Sequence, residues 1–203
     1  MTTYEAHARP DITLILGGVR SGKSAKAVAL ASAAAPNPPT TVLFVATGEP
    51  SDDEMSDRIA KHRRERPPHW DTLEVPRAFA QTIEAQLQRP ARRYDILVVD
   101  CVTIWVSNLL LAADENDDIE QVVSNEVRAL LDVVTNSAYA PARCLFVTNE
   151  VGLGVVPPTP LGRRYRDALG RANQLLAAAA NQVTLMIAGL EMPLKNSPTR
   201  PVE

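Results

Sequence analysis

Gly17-Gly18-Val19-Arg20-Ser21-Gly22-Lys23-Ser24 follows the apolar run Ile12-Thr13-Leu14-Ile15-Leu16 and precedes an Ala-rich stretch from Ala25 to Ala35. The octapeptide matches G-x-x-x-x-G-K-[ST] between a strand-like and a helix-like segment, the context that gives the pattern its meaning. Gly17 and Gly22 let the backbone bend until successive N–H groups point at phosphate oxygens. The helix opening near Lys23 adds the positive end of its dipole. Lys23 supplies a point charge for the β- and γ-phosphates, and the Ser24 hydroxyl is placed to hold Mg²⁺. Arg20 reads either as a phosphate contact or as a surface side chain. The plain alternative, a chance glycine-rich turn, is disfavoured by the flanks on both sides. The stretch reads as a nucleoside-triphosphate site.

Outward from this loop, strand-like runs alternate with helical patterns. The runs are Ile12–Leu16, Val42–Thr47, Thr72–Val75, Ile96–Asp100, Cys144–Thr148 and Val183–Ala188. Several are nearly continuous in Val, Ile and Leu, as strands buried on both faces of a parallel sheet are. Between them Phe79, Ile83 and Leu87 recur at four-residue spacing. Ile119, Val123, Val127, Leu130 and Val134 form a longer stripe, as do Leu161, Tyr165, Ala168, Ala172, Leu175 and Ala179. The pattern predicts an α/β sandwich of three layers with a mostly parallel sheet. Residues 11–195 are expected to form one domain, with termini 1–10 and 196–203 fraying. Pro36-Asn37-Pro38-Pro39 reads as a loop and Asp114–Asp118 as a solvated acidic turn.

Composition narrows the function. The chain has 203 residues, 45% apolar and 22% charged, with a net charge of -3. It lacks the basic field that drives nonspecific nucleic-acid binding. No apolar stretch reaches the ~20 residues that span a bilayer, and Met1 to Pro10 has no apolar signal core. Cys101 and Cys144 lie in or beside apolar strands and read as reduced, packed thiols, which suits a cytoplasmic protein.

A second signal follows the strand ending at Ala46-Thr47. Ser51 and Glu54 form a capping box, so a helix is expected to start there. On that helix Met55, Ile59 and His62 share a face, which aims His62 towards the body of the protein beside Arg63, Arg64 and Arg66. Spacing alone leaves His62 open as a satisfied core residue or a functional one. Asp100 ends an apolar strand, the usual place for a carboxylate that reaches Mg²⁺, and equally a place for a turn residue or helix cap. Glu74 reads as a ligand contact or a solvated strand residue. Asn149 and Glu150 follow a buried strand at the sheet edge where open α/β sheets bind ligands.

Several blocks match one family in order. They are the loop Gly17–Ser24; Asp52-Asp53-Glu54-Met55 with Arg58, Ile59 and His62; Arg66-Pro67 with His69-Trp70; Asp100–Leu110; Asn149–Pro157; and Arg163–Asp167 with Gly170–Gln174. Together they resemble the bifunctional adenosylcobinamide kinase / adenosylcobinamide-phosphate guanylyltransferase of cobalamin biosynthesis, over about residues 11 to 190. The resemblance implies a P-loop sandwich like that of recombinase-type ATPases, assembled as a homotrimer. It implies phosphorylation of the aminopropanol hydroxyl of adenosylcobinamide by a nucleoside triphosphate, ATP or GTP. GTP then guanylylates His62, and adenosylcobinamide phosphate takes the GMP group. The family's GTP-contacting positions fall on Gly17–Ser24, Ala46, Thr47, Gly48, Arg63, Arg64, Glu65, Arg66, Glu74 and Asp100, with Lys23 and His62 catalytic and Ser24 and Asp100 at Mg²⁺. A guanylyltransferase without kinase activity and a non-enzymatic nucleotide-dependent regulatory module are the competing readings.

Overall fold

The computed structural model describes residues 10–33, 40–49, 53–64, 66–76, 78–90, 92–114 and 116–196. Thirteen elements follow in chain order: β1 (Asp11–Gly17), α1 (Lys23–Ser32), β2 (Val42–Ala46), α2 (Asp53–Arg64), β3 (Asp71–Glu74), α3 (Phe79–Leu87), β4 (Ile96–Asp100), α4 (Val102–Ala112), α5 (Ile119–Asn136), β5 (Arg143–Val147), α6 (Pro160–Ala179), β6 (Gln182–Ile187) and β7 (Leu190–Asn196). The strands make one seven-stranded sheet in the order β3-β2-β4-β5-β1-β6-β7. Only β7 is antiparallel to its neighbour.

The period-two alternation of the strands divides the core between two faces. Ile12, Leu14 and Leu16 of β1 pack into a cluster built by α3, α4, α5 and α6, while Ile15 joins Ala27 and Ala31 of α1 on the other face. Both faces of the sheet are covered, which is why β2 and β4 read as uninterrupted apolar runs. The stripe Ile119, Val123, Val127, Leu130 and Val134 is buried in this core. In α6 the buried line is Ala168, Leu169, Ala172, Asn173 and Leu176, so Leu161 and Ala179 lie outside it. Helix entries follow local chemistry. Asp118 accepts the Gln121 N–H at the start of α5, and Thr159 accepts that of Gly162 ahead of α6, with Pro160 in the first turn.

Strand limits differ from the sequence reading by a residue or so: β3 begins at Asp71, β5 at Arg143 and β6 at Gln182. The larger correction is β7, which the sequence reading missed. Ala188 and Gly189, at φ 51° and 81°, turn the chain back as a two-residue hairpin. The signal was present as a glycine between two apolar stretches, but Pro193 argued against a strand. Pro193 is tolerated because β7 is the sheet's edge. The proposed capping Ser51, the loop 36–39 and most of each terminus lie outside the described residues.

Candidate nucleotide and transfer site

Parallel pairing brings strand ends to one level. Ala46 pairs with both Glu74 and Asp100, and Asp100 with Val147, so the loops after β2, β3, β4 and β5 leave the same edge as the loop after β1. Ligands bind at this carboxyl edge in open α/β sheets.

Gly17 sits where a Cβ would come within 2.4 Å of the Met186 carbonyl oxygen, and Gly22 enters α1 at φ 98°. Both positions exclude a side chain, so the two glycines are structural requirements of the loop. Gly18, Val19 and Arg20 are exposed, whereas Ser21 and Lys23 are buried. The Lys23 ammonium folds back to donate to the Gly18 carbonyl at 2.5 Å. Burial lowers its pKa, opposed by the negative charge of Cys101 and Asp100 when ionised. The β6–β7 turn is fastened to the same loop, with the Gly189 N–H donating to the Ser21 carbonyl at 3.0 Å.

Opposite the loop, Ser24, Ala25, Val28 and Ala29 of α1 join Phe44, His62, Arg66 and Asp100 around a cavity of about 310 Å³. His62 corrects the sequence reading. It is exposed rather than packed inward, and it borders this cavity near the end of α2. Gly48 lies against Ile59, whose Cδ1 would be 3.3 Å from an added Cβ, and this close approach seats α2 on the end of β2 one turn before His62. Arg66 lays its guanidinium 3.8 Å from the Phe44 ring centroid. Its buried Nε has no partner, and desolvation lowers its pKa. Such a group is poised for an anionic ligand.

Asp100 shows the same tension in the opposite sense. Desolvation raises its pKa, against the Ser24 hydroxyl hydrogen bond and the charges of His62, Arg66 and Lys23. Ser24 and Asp100 offer hard oxygen donors side by side. Among the described residues no group of three or more His, Cys, Asp or Glu side chains forms a protein cage. That combination fits Mg²⁺, which binds through one or two protein oxygens and completes its shell with phosphates and water.

The remaining predicted contacts divide. Arg63 and Glu74 form an exposed ion pair with each other and do not line the cavity. Arg64 is exposed, and Glu65 lies outside the described residues. Ala46 is buried. Thr47 is fully buried, its hydroxyl donating to the Cys101 carbonyl at 2.8 Å and accepting the Cys101 N–H at 3.0 Å. Thr47 therefore positions the Asp100–Cys101 link. Asn108 supports it by donating to the Thr47 and Pro76 carbonyls. Trp70 is core, stacked near Phe44, while His69 is exposed.

Sequence reasoning missed a second buried network. Thr148 donates to Asn173 Oδ1 at 2.8 Å, Asn173 donates to the Asn149 carbonyl at 3.0 Å, and the Asn149 N–H donates to Thr103 at 2.7 Å. The one available hint was an Asn inside the apolar line of α6. The network fixes the chain leaving β5, and the next residue, Glu150, donates its N–H to the Gly17 carbonyl at 3.2 Å.

Fold and site together define a P-loop α/β nucleotide-dependent transferase. Solved structures agree on the fold. A phage-type label aside, one solved ATPase domain superposes with a TM-score of 0.57 at 13% identity, covering 96% of this chain and 80% of that one. The flagellar accessory protein FlaH of Methanocaldococcus jannaschii gives 0.51 at 14%, covering 93% and 79%. The family is set by sequence: residues 13–194 match the cobinamide kinase / cobinamide phosphate guanyltransferase model, and the chain belongs to that family. It is 44% identical over 185 residues to the bifunctional adenosylcobalamin biosynthesis protein CobP of Pseudomonas aeruginosa, covering 91% of this chain and 98% of the relative. It is 40% identical to CobU of Salmonella typhimurium and 38% to CobU of Escherichia coli, each over 190 residues, 90% of this chain and 98% of the relative. Membership identifies a bifunctional transferase, a kinase and guanylyltransferase, and sets aside the regulatory-module reading.

Proposed function

We propose that one P-loop serves both half-reactions and that His62 is the covalent carrier of GMP. The observation carrying this reading is the cavity in which His62, Arg66 and Asp100 face Ser24 at the mouth of the loop. Gly17–Ser24 hold the triphosphate, with Lys23 against its β- and γ-phosphates. Ser24 and Asp100 would hold Mg²⁺, which supplies charge neutralisation on the phosphates. In the kinase step the substrate hydroxyl oxygen bonds to the γ-phosphorus of ATP or GTP, the bond to the β-phosphate oxygen breaks, and the hydroxyl proton is released.

In the transfer step a neutral imidazole nitrogen of His62 bonds to the α-phosphorus of GTP, and pyrophosphate leaves with the electrons of the broken P–O bond. Arg66 stands beside this centre to balance negative charge. A phosphate oxygen of adenosylcobinamide phosphate then displaces the imidazole, giving adenosylcobinamide-GDP and free His62. Thr47 and Asn108 act by holding Asp100 in place. The protein works as a cytoplasmic homotrimer in this reading, because a corrinoid with an adenosyl arm exceeds what a single ~200-residue domain usually encloses.

The test is incubation with α-labelled GTP and Mg²⁺, then denaturing electrophoresis. Label should be acid-labile and alkali-stable, should vanish in His62→Ala, and should chase into product with adenosylcobinamide phosphate. Label persisting in His62→Ala, or located on Lys61, would overturn the assignment.

A further inference from the structure

The loop joining β5 to α6 presents Leu153, Val155 and Val156 to solvent at 84%, 96% and 61% exposure. Three large aliphatic side chains in four residues is an unusual outlay for a surface loop. The loop is nonetheless tied down at every stage. Val151 packs on the core. Glu150 accepts the Gly152 N–H at 2.6 Å, and Arg163 donates to the Pro157 and Pro158 carbonyls, both at 3.0 Å. Pro157 rests on the first turn of α6 so closely that a Cβ at Gly162 would lie 2.8 Å from its own Cβ. The base is pinned by Asn149, Thr103 and Asn173 and bonded to the P-loop through Glu150 and Gly17. The apolar tips are thus held out on a braced frame.

Position adds a second argument. β5 lies between β4, which ends at Asp100, and β1, which ends at the P-loop. The loop leaves towards the face of the sheet covered by α3–α6, since Val151 and Tyr165 pack with that cluster. His62 and its cavity lie with α1 on the other face. A triphosphate on the P-loop would have the histidine on one side and the aliphatic loop on the other.

We propose that Leu153, Val155 and Val156 form the platform for the corrin macrocycle of the acceptor, so that its side-chain hydroxyl or phosphate reaches the nucleotide past Asn149. This rests on the functional reading above. The occupant follows from chemistry. The tips bring no hydrogen-bonding side chain, which does not suit a nucleobase, whereas a broad macrocycle with a methyl-bearing rim gains most from aliphatic contact. The platform also sits where the γ-phosphate must meet its acceptor, a position that a site for an unrelated protein partner would not require.

The test is the double variant Leu153→Ser/Val155→Ser in the full chain. Substitutions at exposed positions of this kind leave folding essentially unchanged. Guanylylation from labelled GTP, a half-reaction that uses no corrinoid, serves as the control for an intact fold. The KM for adenosylcobinamide and for its phosphate should rise roughly ten- to hundredfold with kcat within about twofold. Equilibrium dialysis of adenosylcobinamide should show the same loss, and the mass by light scattering should not change. Unchanged corrinoid KM and binding would overturn the platform. So would a fall in mass accompanying the loss, which would make the loop a contact between copies. Failure of the functional reading looks different: the unaltered protein would neither take label from GTP nor convert adenosylcobinamide.

Discussion

Replacing Asn173 by Ala removes one side chain with two buried partners. The Thr148 hydroxyl, fully buried, loses its acceptor at 2.8 Å, and the Asn149 carbonyl loses its donor at 3.0 Å. A buried polar group left unsatisfied costs about 1–3 kcal/mol. Asn149 is half-exposed and can recruit water, so the sum is about 2–4 kcal/mol. For a domain of this size that lowers Tm by roughly 4–15 °C. Thermal and urea unfolding of Asn173→Ala measure it directly. Combining Asn173→Ala with Thr148→Val should cost less than the sum of the singles by ~0.5–3 kcal/mol, because each single orphans the partner of the other. The corrinoid KM should rise more than GTP labelling falls, since Asn149 begins the exposed loop. A loss below about 0.5 kcal/mol, with additive singles, would refute the claim that these groups depend on one another.

Lys23→Ala should depress both kinase and guanylylation rates by about 10²–10³-fold, because one charge serves both; near-normal labelling would reveal a second nucleotide site. Neither cysteine should react with a thiol reagent at pH 8 in the folded protein. Burial first, then Asp100, pushes Cys101 up to about 11, and burial raises Cys144 further. A folded pKa near 11 leaves only about one thiolate in a thousand at pH 8, so rapid modification of native protein would contradict it. Light scattering at micromolar concentration should give three times the chain mass of 22.0 kDa; a fully active species of one chain mass would overturn the trimer.

Much of the scaffold was legible in order along the chain. Continuous Val, Ile and Leu runs at β1, β2, β4 and β5 can be buried only between two helical layers, so their parallel pairing followed from composition and alternation. The P-loop was legible because its constraints are local: Gly17 and Gly22 each occupy a place where a side chain cannot go. His62 was legible as a residue but not in its setting. A helical stripe reports which positions share a face; it does not report whether that face meets a core or a cavity, and here the last turn of α2 overhangs one.

Tertiary structure alone decided which residues serve each other across the sheet edge. Arg66 enters the cavity while Arg63 is taken by Glu74, a choice that depends on where β3 lies and not on the run of arginines. Thr47 and Cys101, 54 positions apart, meet because β2 and β4 are neighbours in register. Thr148 and Asn173, 25 apart, meet because α6 returns over β5. β7 escaped notice because Pro193 removes a donor, a defect only an edge strand tolerates, and edge position is a property of the assembled sheet. Local sequence therefore determined the phosphate-binding backbone and the apolar layers, since both answer to forces acting within a few residues. Long-range pairing decided the polar partners, since hydrogen bonds and ion pairs depend on distances that only the packed chain defines.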